Sequence, residues 1–393
     1  FILLFICIYF ILTNTKYIYG SVTDFKTQHY LIPEYFRNLY YDTHDIFPSF
    51  AFNLGAGENI YNLSYYGFLN PLLLISYLLP NVRMVDYIIV MMMVVVVLSI
   101  FFMYYFLRKR FNSKYSFVGT LLFLLSGPII YHTHRHIMFI NYMPFLILAL
   151  IGIDNYFDKN KKVLLIISTF LIIMTSYYYS VCGIIVVSLY YLYRYIDTNN
   201  NFTFKQLIIN GIKYVLLVFI GISMAGILLI PTAYTLLQGR GESTSTISLI
   251  QLLTPHLKIY KLFNGPYSIG VSMIGFVSLL YLFYTKKKSN IVFATSCSII
   301  IFMPIFMYIL NGGLYLREKC FIPFIPVFGY MIAVFLSDLY NKKINTKKFT
   351  IFLLIILIPL YYYKEKQINY LFFIGFILLM LLIDKKKYIK TIM

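Results

Sequence analysis

The stretch DYIIVMMMVVVVLSIFFMYYFLRKR, Asp86 to Arg110, joins a long apolar run to a cluster of three basic residues. Residues 86–107 are enough to cross a bilayer, which takes about 20 residues of helix. The same pairing of an apolar run with a basic cluster recurs along a chain that is 60% hydrophobic and 12% charged. The sequence therefore predicts an all-α polytopic membrane protein and excludes a soluble domain.

Short basic clusters predict which ends of the helices face the cytoplasm. The chain has 33 Lys and Arg against 14 Asp and Glu, and much of the excess lies between apolar runs. Such clusters mark the cytoplasmic side of a membrane protein, so the net charge of +19 predicts orientation and no nucleic-acid partner. The clusters lie at 108–110, 159–162, 194, 286–288, 342–348 and 385–387.

Apolar stretches come in pairs between successive clusters, and each pair is predicted to be an outward hairpin. The pairs are 115–131 with 137–153, 163–177 with 179–193, 207–230 with 269–285, 290–310 with 321–338, and 349–363 with 368–384. Together with residues 1–12 and 86–107, they predict one domain, 1–393, of about twelve transmembrane helices with cytoplasmic ends. Several stretches are shorter than about 20 residues, which predicts tilted or broken helices. Because the chain opens inside an apolar run, its first helix is expected to be truncated.

Two external loops are predicted, at residues 13–85 and 232–268. The apolar run FLNPLLLISYLLP, Phe68 to Pro80, lies in the first of them. Counting it as a span would move the basic cluster at 108–110 to the outside, against the charge bias. We therefore interpret it as an interfacial or re-entrant segment.

The first external loop concentrates acidic residues in a chain that has few. Six of the 14 acids fall between residues 24 and 86. In a helix, Asp24 and Gln28 would lie one turn apart on one face. An acid just outside a bilayer can meet both a hydroxyl acceptor and a lipid-linked leaving group, which makes Asp24 a candidate general base. The alternative is an ordinary solvated charge, which is the interpretation we favour for the other acids of the loop.

A second polar cluster, YHTHRHIMFIN, places His132, His134, Arg135 and His136 at a predicted external hairpin tip. The spacing of two residues resembles a metal-binding arrangement, but no carboxylate is adjacent. A contact to substrate or phosphate and a passive interfacial cluster are the other two interpretations. We predict substrate binding, assign no metal ligand and no certain cofactor, and leave a divalent metal open.

Further candidate substrate-binding residues are cationic or aromatic. In NGGLYLREKCFIP, Arg317 and Lys319 lie at the outer end of a span, where they can hold a lipid phosphate or simply snorkel to the interface. Arg240 lies in the glycine- and hydroxyl-rich stretch QGRGESTSTISL, which is predicted to contact or gate a substrate. Tyr65 and Tyr66 are candidates for stacking on a sugar ring, with an aromatic belt as the alternative.

Three stretches in this order resemble the YfhO family of bacterial membrane proteins. They are GSVTDFKTQHYLIPEYFRNLYYDTHDIFPSFAFNLGAGENIYNLSYYGFLNPLLLISYLLP, HRHIMFINYMPFLILALIGID and LNGGLYLREKCFIPFIP. The family's pattern falls here on Asp24, Gln28, Leu54, Gly55, Gly57, Asn59, Tyr65, Tyr66, Asn70 and Pro71. The similarity covers most of the chain.

The resemblance implies a GT-C type membrane glycosyltransferase of the bacterial plasma membrane with its active site facing outside. Its partners would be an undecaprenyl-phosphate-linked sugar donor, a cell-wall polymer acceptor such as a teichoic acid, and the lipid bilayer. The acid of the first external loop is the catalytic carboxylate in such enzymes, which assigns that role to Asp24. A transporter or flippase of lipid-linked glycans and an inactive scaffold remnant are the alternatives.

Overall fold

The computed structural model describes residues 20–21, 24–199, 201–239, 247–362 and 375, and this part of the chain is almost entirely helical. Its helices are α1 (Leu31–Thr43), α2 (Pro71–Leu74), α3 (Met84–Arg108), α4 (Ser113–Leu124), α5 (Gly127–His132), α6 (Met143–Lys159), α7 (Val163–Thr175), α8 (Tyr177–Thr198), α9 (Phe204–Met224), α10 (Gly226–Gly239), α11 (Leu249–Leu253), α12 (Ile259–Asn264), α13 (Met273–Tyr284), α14 (Lys288–Phe302), α15 (Pro304–Leu310), α16 (Ile325–Tyr340) and α17 (Thr346–Tyr362). A π turn at Phe25–His29 and four 3-10 segments, Ile60–Tyr66, Ile75–Leu78, Ile137–Phe139 and Glu318–Phe324, complete the helical part. One antiparallel hairpin pairs β1 (Phe50–Ala51) with β2 (Glu58–Asn59).

The number of spans differs from the prediction. Five helical segments of the described chain are long and apolar enough to cross a membrane: Met84–Arg108, Ile137–Lys159, Tyr177–Thr198, Phe204–Met224 and Glu318–Tyr340. The bent pair α14 and α15 would make a sixth, and α7, α10 and α13 are apolar but shorter. The membrane class is therefore supported, whereas the predicted count of about twelve is not confirmed. The predicted spans at 1–12 and 368–384, and the basic cluster at 385–387, lie outside the described residues, Gly375 excepted.

Proline explains part of the difference between apolar stretches and straight helices. α14 and α15 are bent by 73° where Pro304 begins the second helix. Residues 113–132 likewise break into α4 and α5, the latter with Pro128 in its first turn. Proline lacks the amide hydrogen that would continue the preceding helix and clashes with its last carbonyl groups, so the two pieces diverge. Hydropathy alone does not register such a break.

The predicted external loops are partly helical. Within 13–85, the run at 68–80 contains only the four-residue α2 and the short segment Ile75–Leu78. Arg37 on α1 donates to the carbonyl oxygens of Leu79 (3.4 Å) and Val82 (2.8 Å), which fastens α1 to the chain just before α3. α10 continues to Gly239, past the predicted start of the second loop at residue 232. Because α1, α2 and the segment Ile75–Leu78 make part of the first predicted loop helical, a large first loop is not confirmed.

Basic residues from different helices meet at one end of the bundle. Arg110 Nη2 lies 2.6 Å and Arg194 Nε 3.3 Å from Asp154 Oδ1, which joins the C-terminal ends of α3, α6 and α8. Lys287 Nζ lies 2.5 Å from Asp197 Oδ1, which adds the start of α14 to this end. The N-terminal ends of α6, α8 and the Glu318–Tyr340 span consequently lie at the opposite end.

Two of the spans form the centre of the bundle. The Ile137–Lys159 and Glu318–Tyr340 spans are each 89% buried over their most apolar window, whereas the Phe204–Met224 span is only 17% buried there. Close packing of α6 on α7 depends on Gly152, since a Cβ there would lie 3.0 Å from the backbone of Leu165. The two central spans hold the groups at their N-terminal ends in fixed positions.

Candidate functional site

A cavity of about 650 Å³ lies at the N-terminal ends of the spans Ile137–Lys159, Tyr177–Thr198 and Glu318–Tyr340. This is the end of the bundle opposite Arg110, Arg194 and Lys287. Its wall combines acidic, basic and aromatic side chains from six parts of the chain. The lining residues are Asp24, Gln28, His29, Tyr65, Tyr66, His136, Phe139, Tyr177, Tyr178, Lys261, Tyr267, Tyr315, Leu316, Arg317, Glu318 and Lys319.

Asp24 occupies the start of the π turn in an unusual backbone conformation. Its φ of 62° is positive, which few residue types other than glycine adopt, although Asp and Asn are among them. Its carbonyl oxygen accepts the amide hydrogens of Gln28 (2.8 Å) and His29 (2.9 Å), so the turn holds the residue in place. The side chain is 43% exposed, and Oδ2 lies 3.2 Å from Nε2 of His136. The candidate carboxylate is thus both accessible and held by a buried neighbour.

Gln28 lies next to Asp24 on the cavity wall, as the spacing of four residues predicted. The Tyr66 hydroxyl donates to Gln28 Oε1 at 2.8 Å. That bond identifies the amide oxygen and leaves the two N–H groups of Gln28 as hydrogen-bond donors. Tyr66 therefore orients an amide whose donors can bind a hydroxyl or phosphate oxygen.

Aromatic rings form much of the wall. Tyr65 contacts Tyr66 and Tyr178 edge to face, with ring centroids 5.3 and 5.9 Å apart. Tyr177 and Tyr178, which follow one another in the chain, also line the cavity. Tyrosine faces and hydroxyls together suit a sugar ring, which has apolar and polar surfaces.

Two cations belong to the same wall as the carboxylate. Lys319 Nζ lies 5.0 Å from the ring centroid of Tyr178 and 5.4 Å from that of Tyr315, and Arg317 Cζ lies 5.0 Å from that of Tyr315. Neither cation has a carboxylate within ion-pair distance in the part of the chain that the structure describes. An anionic ligand could therefore bind both without displacing an existing ion pair.

These cations change the pKa of the Tyr315 hydroxyl. Burial raises its pKa, but the hydrogen bond with Lys319 and the nearby positive charges lower it more, so the net shift is downward. A phenol of lowered pKa is a better hydrogen-bond donor than an ordinary tyrosine. Sequence reasoning did not select Tyr315, although its place two residues before Arg317 offered a signal.

A second ion pair lies at the edge of the cavity. Lys261 Nζ is 2.9 Å from both carboxylate oxygens of Glu318, whose side chain is only 9% exposed. These two residues are 57 positions apart, and Lys261 lies in α12, inside the predicted second loop. Sequence reasoning missed Lys261 because nothing in its local pattern distinguishes it from other loop lysines.

Most of the histidine cluster does not line the cavity. His132 is fully buried, and its Nε2 lies 2.9 Å from the carbonyl oxygen of Pro266. Arg135 donates to the Tyr131 hydroxyl at 2.9 Å. His132, His134 and Arg135, all predicted to bind substrate, are not among the lining residues, whereas His136, which belongs to the same cluster but was not selected from it, is. Its spacing of four from His132 was the available signal.

Two further predictions concern metal and the second loop. Within the described residues, no group of three His, Cys, Asp or Glu side chains is arranged to hold a metal ion. The nitrogen atoms Nδ1 of His132 and His136 instead face each other at 3.1 Å. Arg240 lies outside the described residues, so its predicted substrate contact stays a prediction.

The lowered pKa of the buried His29 predicts that the folded protein loses stability in acid. Burial and the neighbouring His136 lower its pKa from 6.5 to about 4 in the folded protein. Because the unfolded chain binds that proton first, stability is full above pH 6.5 and falls as the pH drops towards 4. When the pH falls from about 7.5 to about 5, protonation of this histidine alone should lower the free energy of unfolding by about 2 kcal/mol.

The measurement is the thermal unfolding midpoint in detergent across this pH range. We expect His29→Leu to make the midpoint less dependent on pH than in the wild type. The exposed His44, at the end of α1, provides the matched control His44→Asn, which should leave the dependence unchanged. An unaltered pH dependence in His29→Leu would contradict the assignment.

Comparison with known proteins agrees with the resemblance seen in the sequence. A family model described as "Bacterial membrane protein YfhO" matches residues 1–383. No curated protein and no solved structure matches the chain.

Proposed function

The chain belongs to the YfhO family of bacterial membrane proteins, and from this premise we propose that it is a membrane glycosyltransferase. The donor is a monosaccharide on a polyprenyl-phosphate carrier, and the acceptor is an extracellular cell-wall polymer such as a teichoic acid. The single observation that carries the proposal is the cavity that Asp24 lines together with the cations Arg317 and Lys319 and several tyrosine rings.

The cavity suits a sugar phosphate. Its volume of about 650 Å³ lies within the roughly 300–1,000 Å³ of small-ligand sites. Arg317 and Lys319 supply charge-assisted hydrogen bonds for the phosphate of the donor. Tyr65 and Tyr178 supply ring surfaces for the sugar, and the polyprenyl chain would extend into the lipid.

The position of the cavity supports an outward-facing site. Arg110, Arg194 and Lys287 lie at the other end of the helices, and the positive-inside bias assigns that end to the cytoplasm. A lipid-linked sugar is the expected donor outside the cell, where nucleotide sugars are not supplied. This arrangement, with a carboxylate from the first loop at the outer end of a helical bundle, is the one that a GT-C enzyme requires.

The proposed reaction is a direct displacement. Asp24 accepts the proton of an acceptor hydroxyl as the oxygen bonds to the anomeric carbon. The bond from that carbon to the phosphate oxygen breaks, and its electron pair leaves with the polyprenyl phosphate. Arg317 and Lys319 stabilise the negative charge that develops on the phosphate.

A transporter or flippase of lipid-linked glycans is the main alternative. It would require polar groups continuing through the middle of the bundle. Immediately inward of the cavity, Tyr142 and Tyr179 are fully buried and stack with ring centroids 5.3 Å apart, and Leu146 and Ile147 are also fully buried. This apolar packing favours chemistry at one end of the bundle over passage through it.

The test is transfer by the purified full-length chain in nanodiscs. A panel of polyprenyl-phosphate monosaccharides is offered with and without teichoic acid, and the modified polymer and released polyprenyl phosphate are measured by mass spectrometry. We expect one donor to be consumed in proportion to acceptor modified. Movement of the intact donor between leaflets of proteoliposomes, with no transfer from any donor, would instead support the transporter.

Lys319 provides a prediction on donor binding. Lys319→Met keeps a side chain of similar length but removes the charge, so we expect kcat/KM for the donor to fall by about 10²-fold. The matched control is Lys258→Met, since Lys258 is exposed and does not line the cavity. Equal rates for the two variants would remove Lys319 from the phosphate site.

A further inference from the structure

We infer that Asp24, His136 and His132 form a hydrogen-bonded chain that ends on the Pro266 carbonyl and holds one exchangeable proton. His136 and His132 are positioning residues for Asp24 in this chain. The contribution of the chain to sugar transfer rests on the proposed function, whereas its proton content does not.

The direction of each hydrogen bond can be assigned in turn, starting from the inner end of the chain at the Pro266 carbonyl. A carbonyl oxygen can only accept, so the 2.9 Å contact between Pro266 and His132 requires a hydrogen on Nε2 of His132. In a neutral ring Nδ1 of His132 is then an acceptor. The 3.1 Å contact between the two Nδ1 atoms therefore requires the hydrogen on Nδ1 of His136.

The outer contact is left without a hydrogen by this assignment. With its hydrogen on Nδ1, a neutral His136 presents a lone pair at Nε2, 3.2 Å from Asp24 Oδ2. Two neutral histidines carry two ring hydrogens, but the chain has three contacts to fill. The third contact is filled only when the chain takes up one more proton, which Asp24 and His136 then share.

The surroundings keep that proton at the outer end of the chain. Burial lowers the pKa of His132 well below its ordinary value, so a positive charge on the inner ring is disfavoured. Burial also lowers the pKa of His136, while Asp24 opposes that shift. The titratable and charged groups that face His136 are Asp24, His29, Tyr131, His132, His134, Arg135, Tyr267 and Lys319. Among these described neighbours only Asp24 is a carboxylate.

In transfer, the chain gives the acceptor proton a defined destination. The acceptor O–H bond breaks, and its proton fills the contact between Asp24 and His136 while the phosphate leaves with the electron pair of the glycosidic bond. All three contacts are then satisfied, which stabilises the protonated product state. Release of this proton to water resets the site.

Nitrogen NMR tests the proton positions without any activity. The chain has only six histidines, so ¹⁵N-histidine labelling of the full protein in nanodiscs resolves few signals. We expect His132 in the Nε2–H form at neutral pH and a pH-dependent signal for His136. In Asp24→Asn the side-chain amide can donate to His136 Nε2, so His136 should keep its Nδ1 hydrogen and lose the pH dependence. The control is the exposed His44→Asn, which should remove one signal and leave both patterns.

Kinetics of the transfer reaction test the positioning role. His136→Phe keeps a planar ring but removes both nitrogen atoms, so we expect about a 10²-fold lower kcat, and the acidic limb of its pH profile should move to lower pH. A structural role alone would lower the amount of folded protein and leave the pH profile in place.

The outcomes separate the two proposals. A His132 signal in the Nδ1–H form, or a His136 signal that titrates unchanged in Asp24→Asn, would overturn the proton chain even if transfer still requires Asp24. The expected NMR pattern with full transfer in Asp24→Asn would support the chain as a proton site and remove the proposed role of Asp24.

Discussion

Replacing Asp24 by Asn is expected to lower the rate of sugar transfer by about 10²–10⁴-fold, the usual contribution of a general base. Asparagine has the shape of aspartate and also tolerates the positive φ of 62° at this position. Its amide can still contact His136, so the turn and the packing around it should remain. The variant thus removes the basic oxygen and little else.

The measurement is twofold. In cells, the sugar content of the wall polymer is compared at equal amounts of membrane-inserted protein. In nanodiscs, transfer from the preferred donor is measured directly. Asp42→Asn is the matched control because Asp42 lies in the same segment, is exposed and does not line the cavity. Unchanged glycosylation by Asp24→Asn at normal protein level would remove the catalytic role.

Replacing Asp154 by Leu is expected to destabilise the protein by about 3–5 kcal/mol, the cost of breaking a buried ion pair by removing one partner. The Asp154 side chain is fully buried, Arg194 is 2% exposed, and both Arg110 and Arg194 lie within ion-pair distance. The Tyr190 hydroxyl also donates to Asp154 at 3.0 Å. The variant leaves two guanidinium groups short of a counter-ion at the basic end of the bundle.

The readout is the unfolding midpoint in detergent, followed by loss of the monodisperse peak on heating. Asp158→Asn is the matched control because Asp158 contacts the same two arginines but is 43% exposed. Asp158→Asn should lower the free energy of unfolding by less than about 1 kcal/mol, as for exposed ion pairs. Equal losses in the two variants would show that burial does not determine the strength of this network.

Several site residues could be selected from the sequence because their local patterns were informative. Asp24 and Gln28 are spaced by one helical turn, and Arg317 and Lys319 lie at the end of an apolar run. Tyr65 and Tyr66 belong to a stretch that resembles the family. All six line the cavity. Local spacing and charge therefore selected these side chains, although not their mutual arrangement.

Other site residues could not be selected because their roles arise from contacts between distant parts of the chain. Asp24 and His136 are 112 positions apart, and Lys261 and Glu318 are 57 apart. The prediction instead chose His132, His134 and Arg135, which do not line the cavity. Periodicity shows which face of a helix is apolar, but it does not show which neighbouring helix that face contacts.

The sequence by itself determined the membrane class and predicted that basic residues share one end of the bundle, as Arg110, Arg194 and Lys287 do. Both follow from local properties, since apolar length decides whether a segment suits lipid and basic residues are retained on one side. Only the tertiary structure decided where helices break and which polar groups share the cavity. Proline geometry and helix packing act over the whole bundle, so the carboxylate, the cations and the buried histidines become neighbours only when the chain is folded.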